Sequence, residues 1–577
     1  MEVQIIIKNL KVYNSYFKKF IQGDVVINHG KFIHIGKDYE ERLTSKNIID
    51  GNNKYMIPGL IDIHMHIESS MTIPSEFSRA TIKHGVTTVV ADPHEIANVF
   101  GIQGINEFIK SKEKLDIFYG IPSSVPSTSS ILETTGGKIT VNEVKELLDY
   151  DNILCLGEVM NFKDLIEDEN SSINQIINIC KDKKIPLEGH CPKIEGVDLS
   201  LYIYRGVNGD HTQQTVVSIE EKIRNGMFIE MQHKSMTAEN IKFLVENNLY
   251  EHFSLVTDDV MADKLTKGHL NELVKEAVKL GMSIENAIYV STYTPAKRMN
   301  LLDRGIIAPG KIADFILLED IDNFNIYEVY KNGEVIFNKD KGLKEEYFTE
   351  KSKFDERFYN SVKLKPITKD NLLVKAPKNY ENKVTCRTMK VMRNTTFTEE
   401  GEVTLNIVDN TLEWQHSNCA LIAVFERYGK NNNIAFGLVE GEIIKEGAVA
   451  TTWAHDHHNL MVMGRNLQDM VLAANEVISC NGGYVVANNN KIMAKLELPI
   501  GGIVSHEPIE VIGEKLGKVR QAMKELGYNH MNEIMSFSTL SLPVSPALKI
   551  TDKGLIDVRN CSIIPLFKAH SKNNLNV

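Results

Sequence analysis

The residues best suited to chemistry begin at Pro58-Gly59-Leu60-Ile61-Asp62-Ile63-His64-Met65-His66, where two histidines stand two positions apart in an apolar run. Side chains two apart on a β-strand face the same side, so both imidazoles would enter one site. Four further residues stand where later apolar runs give way to polar ones: Glu158, His190, His211 and Asp258. Imidazole nitrogens and carboxylate oxygens together suit divalent Mn, Fe or Zn, and a carboxylate has two oxygens with which to bridge two ions. Such ions lower the pKa of water until it yields a nucleophile near neutral pH, and they polarise the leaving end of the substrate. Asp258 is of a type to ligate one ion and to carry the proton that must reach a poor leaving group such as an amine.

Six residues spread over two hundred positions converge only if the fold brings strand ends together. From residue 55 onward, short apolar runs ending in polar residues alternate with helix-length stretches, the signature of repeated βα units and a parallel sheet. Eight strands are expected, ending near His64/His66, Asp92 to Glu95, Pro122 to Ser124, Glu158, Glu188/His190, Asp210/His211, Gln232 to Lys234 and Asp258/Asp259. Residues 141–150 and 172–181 carry apolar side chains at three- and four-residue spacing and read as amphipathic helices. An α/β fold of the (β/α)₈ barrel type, with its active centre at the strand C-termini, accounts for polar residues at every strand end.

The flanks read differently. Strand-like alternation in residues 4–8, 23–28 and 31–35, with a turn signal at Asn28-His29-Gly30, returns in residues 315–318 and 334–337. The expected organisation is a small β-sandwich of residues 1–54 with 305–340, a barrel of residues 55–304 inserted into it, a charged linker of residues 341–370, and an α+β C-terminal domain of residues 371–577. The charged run 339–353 reads as solvated chain.

Composition excludes several classes. At 577 residues, 42% hydrophobic and 24% charged, the chain has the make-up of a soluble globular protein of two or three domains. A formal charge of −11, with basic residues scattered among acids, argues against nucleic acid as a partner. Residues 1–14 lack the basic and apolar regions of a secretory signal, and no apolar stretch is long enough to span a bilayer, so a cytoplasmic location without a membrane partner is expected. Seven cysteines form no CxxC pair and are expected to be reduced, with Cys155 and Cys191 in the core or near the site.

Longer strings carry a resemblance. His64-Met65-His66-Ile67-Glu68-Ser69-Ser70-Met71, Asp92-Pro93-His94-Glu95 and Gly157-Glu158-Val159-Met160-Asn161 resemble the bacterial adenine deaminases of the amidohydrolase superfamily. Ala454-His455-Asp456-His457-His458-Asn459 and the stretches 498–505 and 542–558 are similar to that family's C-terminal domain. The resemblance implies two divalent ions, Mn or Fe, with Zn also compatible, and Glu158 in place of the carboxylated lysine of many relatives. It implies conversion of adenine and water to hypoxanthine and ammonia, and a homo-oligomer, dimeric or larger. The chain departs from the family where His211 is followed by Thr212-Gln213 instead of His-Glu, and where strand seven reads Gln232-His233-Lys234-Ser235 instead of Arg-Glu-Gly-Ser. These departures leave room for another purine or a cyclic amide as substrate.

Glu68, two residues beyond His66 and read as sharing its face, and Glu95 are expected to bind or protonate a ring nitrogen, which would make the attacked carbon a better electrophile. Ser69, His94 and His457 are expected as further substrate contacts. His66-Ile67-Glu68 also matches the HxE of small zinc deaminases, but the PCxxC that completes that site is absent from the sequence. His455 to His458 lack the partner spacing of a zinc site and are expected to form a polar turn.

Overall fold

A computed structural model describes residues 1–111, 113–348, 353–378, 380 and 382–568. The chain divides into two compact units, residues 1–93, 108–123 and 140–352, and residues 94–107, 124–139 and 353–577.

The first unit opens with β1 (Ile5–Asn14), β2 (Lys19–Asn28), β3 (Lys31–Ile35), β4 (Ile48–Asp50) and β5 (Tyr55–Pro58). Between β2 and β3, His29 and Gly30 both take positive φ, 49° and 70°. This is the two-residue turn whose twist matches that of paired strands, and glycine adopts it without strain.

Eight short strands follow: β6 (Leu60–Met65), β7 (Val86–Ala91), β8 (Asp116–Ile121), β9 (Ile153–Val159), β10 (Leu187–Gly189), β11 (Gly209–Asp210), β12 (Phe228–Met231) and β13 (Phe253–Leu255). β6 to β10 pair in parallel in chain order, as do β11 to β13. The backbone N–H of Asn208, just before β11, donates to Leu187 O of β10 at 3.2 Å. After β13, Met65 bridges Asp258 in parallel, and Asp258 N donates to His64 O at 3.1 Å. The ring of strands is thereby closed, and the fold is a parallel barrel of the (β/α)₈ type.

The outer helices follow from their apolar spacing. Ser172–Lys183 buries Ile173, Ile176, Ile177 and Cys180, starts where the Ser171 hydroxyl accepts from Asn174 N, and stops where Lys184 turns left-handed at φ 58°. Leu270–Lys279 buries Leu270, Leu273, Val274 and Ala277 at the same spacing. Each such isoleucine or leucine removed from water contributes about 1.5–3 kcal/mol before chain entropy is counted.

After the barrel come β14 (Phe315–Asp320), β15 (Asn325–Lys331), β16 (Glu334–Asn338) and β17 (Gly342–Leu343). β14 pairs antiparallel with β5, giving one sheet ordered β17-β16-β15-β14-β5-β1-β2-β3, with β4 also on β1. Its core gathers Ile5, Ile7, Leu10, Val25, Ile27, Phe32, Phe315 and Tyr330.

The charged run does not behave as a solvated linker throughout. β17 is an edge strand on β16, and Tyr347 and Phe348 pack toward Ile82, Val329 and Ile336. Farther on, Phe358 and Leu372 are buried on short 3₁₀ turns. The apolar residues between the charges pin this segment down. Residues 349–352 of the run lie outside the described residues.

The second unit is built on a nine-stranded sheet drawn from Lys383–Val391 to Lys491–Glu497. Helix Leu467–Ser479 lays Met470, Ala473, Ala474 and Val477 against Leu421, Ala423, Ala448, Val462 and Val485 of that sheet. The Asn466 side chain starts this helix by accepting from Asp469 N at 2.8 Å.

Candidate metal centre

The barrel brings six of the expected residues together. Glu158, near the end of β9, has Oε1 3.0 Å from His66 Nε2 and 3.7 Å from His64 Nε2. Its Oε2 lies 3.0 Å from His190 Nδ1 and 3.4 Å from His211 Nε2. Asp258 Oδ1 stands 3.4 Å from His66 Nε2 and 3.8 Å from His64 Nε2. The ligand atoms of His64, His66 and Asp258 all lie within 4.8 Å of one another, as do those of His64, Glu158 and His211. One carboxylate thus faces imidazoles from both sides, the arrangement that two neighbouring cations need.

Hydrogen bonds fix these side chains from behind. His66 Nδ1 is 3.0 Å from Asp92 O, and Asp92 Oδ2 accepts from Glu158 N at 2.9 Å. Gly157 makes this possible, since a Cβ there would sit 2.1 Å from Asp92 Oδ2. Asp62 accepts from Thr257 Oγ1 at 2.6 Å and from His64 N at 3.3 Å, tying β6 to the segment that carries Asp258. Asp258 itself has φ 56°, a left-handed conformation that a non-glycine residue holds at some cost and that recurs at functional sites.

The departures at strands six and seven brace His211. Thr212 Oγ1 donates to Asp210 at 2.8 Å, and Asp210 also binds Lys222 Nζ at 2.7 Å. Gln232 Nε2 donates to His211 O at 2.8 Å, and Ser235 Oγ accepts from Gln214 N at 2.9 Å. Gln213 and His233 are exposed.

Burial is the largest influence on each buried group and disfavours its charged form. At His64 it is overcome by Asp258, Glu230 and Glu158, and the imidazole is pushed up to about 9. At His211 burial prevails with help from His64, and the ring is pushed down to about 3. These two rings stack with centroids 3.8 Å apart, so charge on one opposes charge on the other. Burial notwithstanding, neighbouring imidazoles hold Glu158 and Asp258 well below the usual carboxylate range. His64 Nε2 is buried without a hydrogen-bond partner while carboxylate oxygens face it. Imidazole nitrogens turned toward ionised carboxylates are a set that a divalent cation unites by taking the place of the protons between them, so these residues fit metal binding.

Sequence reasoning missed two supporting residues. Asp92 stands in the sequence as a strand end and as the first residue of the string Asp92-Pro93-His94-Glu95, with no role assigned to it. Glu230, inside β12, is fully buried, with Oε2 4.0 Å from Nδ1 of both His64 and His211. Burial, and after it Glu188, pushes its carboxyl well above the usual range, while His64 opposes them. A bound cation reverses such an ordering.

Glu68 does not share a strand face with His66. β6 ends at Met65, and Glu68 opens a buried 3₁₀ turn, Glu68–Ser70, in which its carbonyl accepts from Met71 N. Its neighbour Ser69 donates to Asp259 Oδ1 at 2.5 Å.

His94, Glu95 and His457 belong to the second unit. There Glu95 is clamped between two imidazoles, with Oε1 2.5 Å from His455 Nδ1 and Oε2 against His458 Nε2. Although burial opposes it, this pairing holds Glu95 well below the usual range. His94 Nε2 lies 3.7 Å from Glu95 Oε1. His457 Nδ1 accepts from Asn459 N at 3.0 Å, and burial pushes its ring down to about 4. His455 to His457 form a turn.

Among the described residues all seven cysteines are free, and no helix is long and apolar enough to cross a membrane.

Comparison with known proteins identifies relatives over nearly the whole chain. Residues 55–336 match the amidohydrolase family, and residues 395–562 match the adenine deaminase C-terminal domain. A Clostridium perfringens protein named adenine deaminase is 80% identical over 98% of this chain and 99% of its own. A Shouchella clausii protein named adenine deaminase 2 is 50% identical over 98% and 99%, and one from Clostridium acetobutylicum named adenine deaminase is 35% identical over 97% of each chain. At that identity over nearly its whole length, the chain belongs to the adenine deaminase family.

Proposed function

We propose that this chain hydrolyses adenine to hypoxanthine and ammonia at the mouth of the barrel, as a cytoplasmic homo-oligomer acting in purine salvage. The observation that carries the reading is Glu158, whose two oxygens reach imidazoles from strands on both sides. Relatives named adenine deaminase support the choice of substrate.

His64, His66 and Asp258 would hold one divalent ion, His190 and His211 a second, and Glu158 would serve both, with Mn or Fe the expected metals. Such ions lower the pKa of water, so that a nucleophile is available near neutral pH, and they polarise the carbon–nitrogen bond.

The chain's own residues then manage protons. Asp258, kept ionised by His64 and His66, accepts a proton from water and passes it to the departing amine. Glu68, buried three positions after Met65 closes β6, protonates a ring nitrogen as the amino-bearing carbon is attacked. Water contributes the oxygen of hypoxanthine, one hydrogen that completes ammonia, and a second that replaces the proton Glu68 gives to the ring nitrogen.

The test is ammonia release, with ultraviolet loss of adenine, by metal-free chain reconstituted separately with Mn, Fe(II) and Zn. Stoichiometric hypoxanthine and ammonia with at least one metal are expected. A chain that binds two ions and leaves adenine unchanged overturns the choice of substrate.

A further inference from the structure

We propose that Glu230 is a positioning residue, a single carboxylate behind both His64 and His211 that holds the two rings with their Nε2 lone pairs turned toward the metals. The inference rests on the reading of those histidines as metal ligands.

Glu230 lies within β12, between Ile229 and Met231, and is fully buried. Its Oε2 is 4.0 Å from Nδ1 of His64 and 4.0 Å from Nδ1 of His211. The opposite nitrogens of the same rings face the other way: His64 Nε2 toward Glu158 and Asp258, and His211 Nε2 toward Glu158. The two rings stack within 16° of parallel, so one acid can address both. An adjustment of about 1 Å turns either separation into a hydrogen bond.

Other buried acids in this part of the barrel are already engaged. Glu188 pairs with Arg298 at 2.9 Å, and Asp210 with Lys222, Thr212 and Gln214. Neither oxygen of Glu230 has a hydrogen-bond partner. A buried carboxylate without donors costs several kcal/mol, so the two Nδ1–H groups are the donors that make its burial tolerable. In return, a carboxylate accepting from Nδ1–H fixes the tautomer that leaves Nε2 free to bind metal, and it makes that nitrogen more basic. A strand residue that touches neither substrate nor metal would thereby set the affinity at two ligands together.

The experiment compares the parent chain with Glu230→Gln and Glu230→Met. Mn and Co(II) affinity are read by competition with a chelator, and the melting temperature of the metal-free proteins is measured in parallel. Glu230→Met is expected to bind about 10–100-fold more weakly. Glu230→Gln should fall between it and the parent, because an amide can accept from one ring but presents a donor to the other. Metal-free melting should stay within a few degrees of the parent for the glutamine variant, which decides the matter if the methionine variant does not fold. Parent-like affinity in the glutamine variant and in every folded methionine variant overturns the proposal. Failure of the parent itself to bind metal overturns the ligand reading, and that failure is visible before any variant is made.

Discussion

Adding one methyl group at Gly157 tests how closely the ligands depend on what lies behind them. A Cβ at Gly157 would stand 2.1 Å from Asp92 Oδ2 and 2.7 Å from its Cγ, where ordinary contact begins at 3.4 Å. Ile121 O, 3.1 Å away on the neighbouring strand, bars escape by shifting the backbone. The Asp92 carboxylate must therefore retreat by about 1 Å, and overpacking of this kind costs about 1–3 kcal/mol of stability. That carboxylate accepts from Glu158 N, and the same residue's carbonyl holds His66 Nδ1, so the displacement reaches two ligands at once. A misplacement of about 1 Å in such a constellation lowers turnover by about 10²-fold. The assay is kcat/KM for adenine with metal content measured on the same sample. Gly120→Ala serves as control, since the nearest atoms to a Cβ there are Cys155 Sγ at 3.1 Å and the Gly157 backbone at 3.3 Å, none under 3.0 Å. Full activity and full metal content in Gly157→Ala would refute the claim that Asp92 positions the centre.

Three further outcomes are expected. Asp258→Asn should lower kcat by about 10²–10⁴-fold with metal still bound, and a variant of parent rate would place the proton carrier elsewhere. Glu158→Gln should lose one or both ions on dialysis, read by elemental analysis, because a neutral amide bridges poorly; unchanged content would remove Glu158 from the ligand set. In the second unit, burial pushes Glu133 up to about 7 despite hydrogen bonds from Ser127 and Thr128. The folded state therefore holds this proton more tightly than the unfolded chain does. The stability from Glu133 is full below about 4.5 and is lost as pH rises toward about 7, a fall of a few kcal/mol. Glu133→Gln should flatten that fall in denaturation measured across this range, and an unchanged slope would assign it to another group.

Much of the site could be read without coordinates because a parallel barrel leaves its mark on the chain. Buried strands are apolar, active groups sit at strand ends, and so His64, His66, Glu158, His190, His211 and Asp258 stand where apolar runs give way to polar residues. Glu230 could not be found this way. It is one acid inside the apolar β12, and nothing local distinguishes a carboxylate facing two imidazoles from one facing solvent. Glu68 does not share the face of His66 because period-two alternation holds only while the strand lasts, and β6 stops at Met65. Thr212 and Gln232, where the chain departs from the family pattern, serve the neighbours and backbone of His211, a role that no local pattern shows. The charged side chains of the run 339–353 are exposed where they are described, while β17 within it pairs with β16, because charge predicts the exposure of side chains and says nothing of backbone pairing.

The order of apolar runs and polar breaks by itself determined the barrel, the donor types at its mouth and the class of chemistry they serve, because these depend on residue periodicity and ligand chemistry. Tertiary structure alone decided which oxygen faces which ring, that Asp92 and Glu230 stand behind the ligands, and that Glu95 is clamped by His455 and His458 from more than three hundred residues away. Those facts depend on closure of the barrel and on the packing of distant segments, which no local pattern encodes.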